Sequence, residues 1–252
     1  MDSPASPLRP VCTAALLLSV ALFVTAFAIR LYRISEQNLW FDEYSTFEVA
    51  SAPIEQLPHL MLSVESNKPP LYFALIHYWI KGGHGEGWLR LPSAFFGALT
   101  CVVIASLGKQ LFGLRGAFAL GCLVAVSPFH IYYSQEARPY ALWGLFTALA
   151  LLFHVRFCRT PRLGFLIAYV LFAVLACYTF LYGFIAIGFA VLFAVAWRPK
   201  LLRRVQWQIV GANFLVGVLY LPWLVKVASS ALLGVGFLQT HRAPPTHDCV
   251  HA

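Results

Sequence analysis

One stretch of 35 residues without a charged side chain decides the fold: residues 163–197, LGFLIAYVLFAVLACYTFLYGFIAIGFAVLFAVAW. As a single helix it would be about 52 Å long, because a helix rises about 1.5 Å per residue. A bilayer core is about 30 Å thick and needs roughly 20 apolar helical residues. The stretch is too long for one crossing, so we predict two crossings that meet near Tyr178–Gly183.

Further charge-free stretches of crossing length lie on both sides of it: residues 11–29, 91–107, 117–135, 139–155 and 205–225. Across all 252 residues, 60% are hydrophobic and only 11% are charged. A soluble domain carries about 25% charged residues, so this composition excludes a water-soluble, disordered or fibrous protein. We predict an all-α membrane protein with about seven transmembrane helices.

The charge pattern orients these helices. Three connecting loops are basic and contain no acid: Lys109 and Arg115; Arg156, Arg159 and Arg162; and Arg198, Lys200, Arg203 and Arg204. Cytoplasmic loops are rich in Lys and Arg, so we predict a multi-pass membrane protein with a cytoplasmic N-terminus and an outer loop at 30–90. The net charge of +8 belongs to these loops and does not indicate a nucleic-acid partner. A cleaved signal peptide is the alternative for residues 1–29, because Ala26-Phe27-Ala28 resembles a cleavage site.

One apolar segment of the outer loop is too short to cross. Pro69–Ile80 has twelve residues and opens with two prolines. This length favours a helix lying at the membrane interface. Counting it as a crossing would also move the three basic loops outside.

The acidic residues concentrate in the same loop. Seven of the ten carboxylates lie in 30–90 and no predicted crossing contains one, which argues against a proton-coupled transporter. Trp40 and Phe41 precede the pair Asp42-Glu43, and Ser45 or Thr46 could cap a following short helix. A carboxylate held at a lipid boundary becomes more basic and could act as a general base, while the alternative is a solvated acidic turn.

A second polar cluster lies at the predicted outer end of the third crossing. Residues 127–140 read SPFHIYYSQEARPY, with Glu136 and Arg138 as a charged pair. The topology brings this turn to the face that carries Asp42-Glu43. The pair could orient a phosphate and an acceptor, or it could simply belong to an interfacial aromatic belt. Lys68 is a further cationic candidate, with a snorkelling surface lysine as its alternative.

Four ordered blocks of sequence carry a family resemblance: Trp40-Phe41-Asp42-Glu43, Asn67-Lys68-Pro69-Pro70-Leu71-Tyr72, Arg90-Leu91-Pro92-Ser93-Ala94 and Ser127 through Leu142. Together they resemble the N-terminal module of GT-C membrane glycosyltransferases. The nearest types are bacterial relatives of protein O-mannosyltransferases and the lipid A aminoarabinose transferase. The resemblance implies seven crossings with juxtamembrane helices in the first outer loop, in a bacterial inner membrane.

The resemblance also implies a reaction. A sugar would pass from a polyprenyl-phosphate donor to a glycan, lipid or protein acceptor outside the cytoplasm, with inversion at the anomeric carbon. Asp42 would deprotonate the acceptor with the support of Glu43. Substrate binding would fall to Lys68, Glu136, Arg138 and Tyr140, with the two cations balancing the departing phosphate. No cofactor and no metal are expected, and a zinc site on the outer-loop histidines is the alternative.

The same resemblance sets an expectation for the domain organisation. We assign residues 1–225 to the transmembrane module and expect 226–252 to be an interfacial or disordered tail. Family members commonly continue with further crossings, so we expect weak activity from this chain alone. The alternative function is a catalytically incomplete membrane subunit that binds polyprenyl lipid or a partner protein, and a transporter ranks third.

Overall fold

The computed structural model describes residues 8–63, 68–185, 187, 188, 192 and 203–232. Within these ranges the chain forms helices and no strand, which confirms the predicted all-α fold. The helices are α1 (Leu8–Leu31), α2 (Phe41–Ser51), α3 (Leu57–Ser63), α4 (Leu71–Trp79), α5 (Glu86–Val126), α6 (Pro128–Ser134), α7 (Tyr140–Arg159), α8 (Leu163–Thr179) and α9 (Arg203–Leu232). A 3₁₀ turn at Ile80–Gly82 follows α4.

Three of these helices contain segments long and apolar enough to cross a membrane: Glu86–Val126, Tyr140–Arg159 and Arg203–Ser229. Leu16–Leu31 and Leu163–Thr179 are shorter apolar helices. The count of seven crossings stays a prediction. Helix α9 continues past the predicted module boundary at residue 225, and residues 233–252 of the predicted tail lie outside the described residues.

Helix α5 folds back on itself at Gly113, where φ is 74°. A Cβ atom on Gly108 would lie 2.5 Å from the backbone oxygen of Gly116, and one on Gly121 would lie 2.9 Å from the Cβ of Ala105. Residues eight positions apart in a straight helix would be separated by about 12 Å, so these contacts require two antiparallel arms. The turn lies between the predicted crossings at 91–107 and 117–135.

The predicted crossing at 117–135 is not continuous, and this part of the sequence analysis was wrong. The second arm of α5 ends at Val126, and Ser127 has non-helical dihedral angles of −64° and 117°. Pro128 follows, and a residue before proline is disfavoured in the helical region. The chain restarts as α6, where the Ser127 hydroxyl accepts a hydrogen bond from the His130 N–H at 3.4 Å.

The long charge-free stretch breaks where the sequence predicts. Helix α8 ends at Thr179, Phe180 is extended, and helix resumes at Gly183. A Cβ atom on Gly183 would lie 2.9 Å from the backbone nitrogen of Cys177, so the turn requires glycine at this position. Helix α8 then packs along α9, where the Tyr169 hydroxyl donates to the side chain of Asn213 at 2.7 Å.

The segment 30–90 contains α2, α3 and α4, as expected for juxtamembrane helices. Helix α4 has nine residues, which is too short to cross a membrane. Its His77 bonds the backbone oxygen of Ala50 at 2.8 Å and so holds α2 against α4. The predicted cap at Ser45 or Thr46 was wrong, because α2 already begins at Phe41 and its first turn contains the acid pair.

A buried arginine joins the end of α1 to the end of α5. Arg30 is fully buried and donates to the backbone oxygens of Ala26 at 2.8 Å and Val124 at 3.4 Å. A cation near helix C-termini is stabilised by the partial negative charge of the last carbonyl groups. Gln135 then donates to the backbone oxygen of Tyr32 at 2.8 Å, which places the turn after α6 beside the segment that leads to α2.

Candidate active site at the start of helix α2

The two adjacent carboxylates of α2 have opposite environments. Successive helical residues point about 100° apart, at 3.6 residues per turn. The side chain of Asp42 is 38% exposed, whereas that of Glu43 is 1% exposed. Only Asp42 is therefore open to a substrate.

Glu43 is held on both oxygens. The Arg90 guanidinium donates to them at 2.8 and 2.6 Å, and the Ala137 N–H donates to Oε1 at 2.8 Å. Arg90 also donates to the backbone oxygens of Ile34 and Gln37, at 2.9 and 2.8 Å. Glu43 thus ties the first turn of α2 to α5 and to the turn after α6, and its geometry suits a positioning role.

Arg90 was not among the site residues that the sequence analysis predicted. A usable signal was present, because Arg90 directly precedes a predicted crossing and charged residues at membrane segments can pair with one another. The sequence also contains an acid pair, Asp42-Glu43, in the same outer segment. What the sequence could not specify was which of the two acids Arg90 would bind.

Arg138 lies behind Asp42 and is fully buried. It donates to the backbone oxygen of Asp42 at 2.6 Å and to the Thr46 hydroxyl at 2.9 Å, and its Nη2 lies 3.4 Å from the Asp42 carboxylate. The Ser93 hydroxyl donates to the backbone oxygen of Arg138 at 3.4 Å. These contacts fix both the start of α2 and the orientation of the exposed carboxylate.

Glu136 is buried beside this pair, with 6% of its surface exposed. Within the described chain, no hydrogen bond of ordinary geometry reaches either carboxylate oxygen. Burial raises the pKa of the Glu136 carboxyl and the negative charges of Glu43 and Asp42 raise it further, while the Tyr132 hydroxyl and the positive charge of Arg90 lower it. Glu136 is therefore an acid held in an environment that disfavours its charge.

The other two predicted residues are Tyr140 and Lys68, and the contacts described above do not include them. Tyr140 begins α7, and its ring packs at 4.9 Å from Tyr133 and 5.5 Å from Phe180, measured between centroids. Lys68 is half-buried just before Pro69 and the start of α4. The structure thus brings together Asp42, Glu43, Glu136 and Arg138, as the topology predicted.

Metal ligation has no visible basis in the described ranges. No three His, Cys, Asp or Glu side chains converge there in a way that could hold a metal ion.

Comparison with known families gives the decisive match. The profile of the dolichyl-phosphate-mannose-protein mannosyltransferase family matches residues 67–225. This chain belongs to that family. The mannosyltransferase family comprises membrane glycosyltransferases, so the chain is a mannosyltransferase-like membrane protein. No curated protein matches the chain.

The mannosyltransferase match includes one side of the site and not the other. Arg90, Glu136 and Arg138 lie inside 67–225, whereas Asp42 and Glu43 precede it. The acid pair is joined to the matched region through its contacts with Arg90, Ala137 and Arg138.

Proposed function

We propose that this chain transfers a sugar from a polyprenyl-phosphate donor to an acceptor hydroxyl on the outer face of the membrane. The observation that carries the proposal is the half-exposed Asp42 carboxylate, which Arg138 holds from behind. A general base must be accessible and oriented, and Asp42 meets both conditions. Glu43 meets neither, because its oxygens are already occupied.

In the proposed reaction Asp42 accepts the proton of the acceptor hydroxyl. The acceptor oxygen forms a bond to the anomeric carbon as the bond from that carbon to the phosphate oxygen breaks. The electron pair of the broken bond leaves with the lipid phosphate. Attack from the face opposite the phosphate inverts the anomeric configuration.

Negative charge then develops on the departing phosphate, and a nearby cation lowers the energy of that state. Lys68 and Arg138 are the candidates. Arg138 is buried with its described contacts on α2, so its first role is to position Asp42. Lys68 is half-buried at the start of α4 and is the more accessible of the two.

The proposed orientation places the N-terminus in the cytoplasm and the site outside, in a plasma membrane such as the bacterial inner membrane. The basis is the distribution of charge, with three acid-free basic loops on one side and seven of ten acids in the segment 30–90. The family match supports a lipid-linked sugar as donor and a glycan or protein as acceptor.

The test is a transfer assay with the full chain in lipid nanodiscs and a panel of labelled polyprenyl-phosphate sugars. We expect transfer from at least one donor, with a product of inverted anomeric configuration by NMR. Donor binding without turnover by any member of the panel would instead support the alternative of a lipid-binding subunit. A product of retained configuration would overturn the proposed mechanism.

A further inference from the structure

A second feature of the outer surface lies next to the proposed base. A cleft with a volume of about 640 Å³ opens between the end of α1, the segment leading to α2, and α6. Trp40 and Glu43, which flank Asp42 closely in sequence, both line it. A molecule in this cleft would therefore lie alongside the first turn of α2.

The charges that line the cleft are paired with one exception. Arg33 pairs with Glu36, and Arg90 pairs with Glu43. Glu136 also lines the cleft, and among the described residues it has no ion pair with either arginine. The cleft thus carries an excess of one acid, which disfavours an anionic ligand.

Glu136 has unused hydrogen-bonding capacity in a costly position. It is 6% exposed and no described group donates to its oxygens with ordinary geometry. The Tyr132 hydroxyl interacts with the Glu136 carboxylate outside the geometry of an ordinary hydrogen bond, and one hydroxyl can donate to only one of the two oxygens. A buried polar group without a partner is costly, so a ligand that donates hydrogen bonds here would recover part of that cost.

Aromatic side chains form the rim of the same cleft. Trp40 is 47% exposed and Tyr132 is 53% exposed, and both line it. Such rings present a flat apolar face beside polar groups, which suits a ligand with apolar faces and hydroxyl edges. A sugar ring has this character.

We propose that this cleft binds a neutral carbohydrate, stacked on Trp40 and Tyr132, whose hydroxyl groups donate to Glu136. The inference rests on the proposed function where it assigns the carbohydrate to the acceptor. Asp42 does not itself line the cleft, so the acceptor hydroxyl would extend from the cleft past Trp40 to reach it, while the donor lipid approaches from another side. The acceptor class is thereby narrowed to a glycan.

The binding test uses the full chain in nanodiscs without any donor lipid. Saturation-transfer NMR would compare a neutral mannose disaccharide, mannose 6-phosphate and mannosamine. We expect saturable binding of the disaccharide only. No saturable binding of the disaccharide, or preferred binding of the anionic or the cationic sugar, would overturn the proposal.

Binding measurements on variants test whether the disaccharide occupies this cleft. Glu136→Gln and Trp40→Ala should each weaken disaccharide binding by about tenfold, which corresponds to about 1.4 kcal/mol. Glu48→Gln and Tyr78→Ala are the controls, since both residues are exposed and neither lines the cleft. Trp40→Ala removes an exposed ring and keeps the test decisive if Glu136→Gln fails to fold.

Failure of this inference is distinct from failure of the proposed function. Transfer activity with no disaccharide binding, or with binding unaffected by both cleft variants, would remove the glycan site and leave the transferase intact. Binding that depends on Glu136 and Trp40 without transfer from any donor would keep the site and contradict the transferase.

Discussion

The Arg90 guanidinium binds both carboxylate oxygens of Glu43, at 2.8 and 2.6 Å, and both side chains are almost completely buried. This pair joins α2, which carries the proposed base, to α5. The fork geometry of arginine matches a carboxylate and is not reproduced by lysine. The pair therefore determines where Asp42 lies.

Breaking this pair should destabilise the protein. Removing one partner of a buried ion pair costs about 3–5 kcal/mol, because the other charge stays buried alone. We expect Glu43→Gln and Arg90→Met each to lower the apparent unfolding temperature in detergent by several degrees. The unfolding temperature of the double variant should fall by less than the sum of the two single decreases. Strictly additive losses would contradict a direct coupling.

Variants of the two candidate phosphate partners should change different kinetic constants. Lys68→Ala should raise the KM for the donor by about tenfold with a small effect on kcat, since it removes a charge that assists binding. Arg138→Lys should lower kcat more than it raises KM, because it releases Asp42 from its orientation. Lys81→Ala is the matched control, as Lys81 is exposed in the same outer segment. An unchanged donor KM in Lys68→Ala would rule out that lysine as a phosphate partner.

Glu136 should make stability depend on pH. Burial raises its pKa in the folded state, so the unfolded chain loses this proton first as the pH rises. Below the pKa that Glu136 has in the unfolded chain, its burial does not lower the stability of the fold through charge. The loss of stability grows as the pH rises through the pKa in the folded state, and it is complete above that pKa. Glu136→Gln should therefore raise the unfolding temperature at pH 8, by about 2–4 °C for each kcal/mol gained.

The same difference should shrink towards zero near pH 4, as measured by thermal unfolding in detergent across a pH series. Glu48→Gln provides the comparison with an exposed carboxylate on α2. A stabilisation by Glu136→Gln that is equal at both pH values would show that the charge of Glu136 is not its cause.

The proposed orientation can be measured with cysteine labels. His84 is exposed in the segment 30–90, and Leu114 is exposed beside the turn at Gly113. Both are better positions than the adjacent glycines. A Cβ atom on Gly83 would lie 2.6 Å from the Trp88 ring, and Gly113 has a positive φ.

In a background without native cysteines, an impermeant thiol reagent added outside should label His84→Cys and spare Leu114→Cys. Permeabilisation should then allow both positions to react. Labelling of position 114 alone in intact cells would contradict the proposed orientation and support the opposite one.

Several features of the fold could be predicted because they depend on length and charge. The break after Thr179 follows from the excess length of 163–197, and the short α4 follows from the prolines and twelve residues of its segment. The meeting of Asp42-Glu43 with the turn at 136–138 follows from the predicted topology. The interruption at Ser127 was missed, although Pro128 gave a local signal for it.

The sequence could not predict that Asp42 would be exposed and Glu43 buried. Their opposite exposures depend on the rotation of α2, and the sequence analysis placed the start of that helix several residues too late. The choice of Glu43 by Arg90 depends on the same rotation and on long-range packing. Neither is encoded in a pattern short enough to recognise in one sequence.

Asp42 is the proposed general base of the transfer reaction. The most direct measurement is single-turnover transfer by Asp42→Asn in nanodiscs, beside wild type and the control Glu48→Gln. The amide keeps the shape of the side chain but cannot accept the proton. We predict a loss of about 10²- to 10⁴-fold in the transfer rate with donor binding retained, and no loss in the control. A folded Asp42→Asn protein that transfers sugar at the wild-type rate would contradict the account.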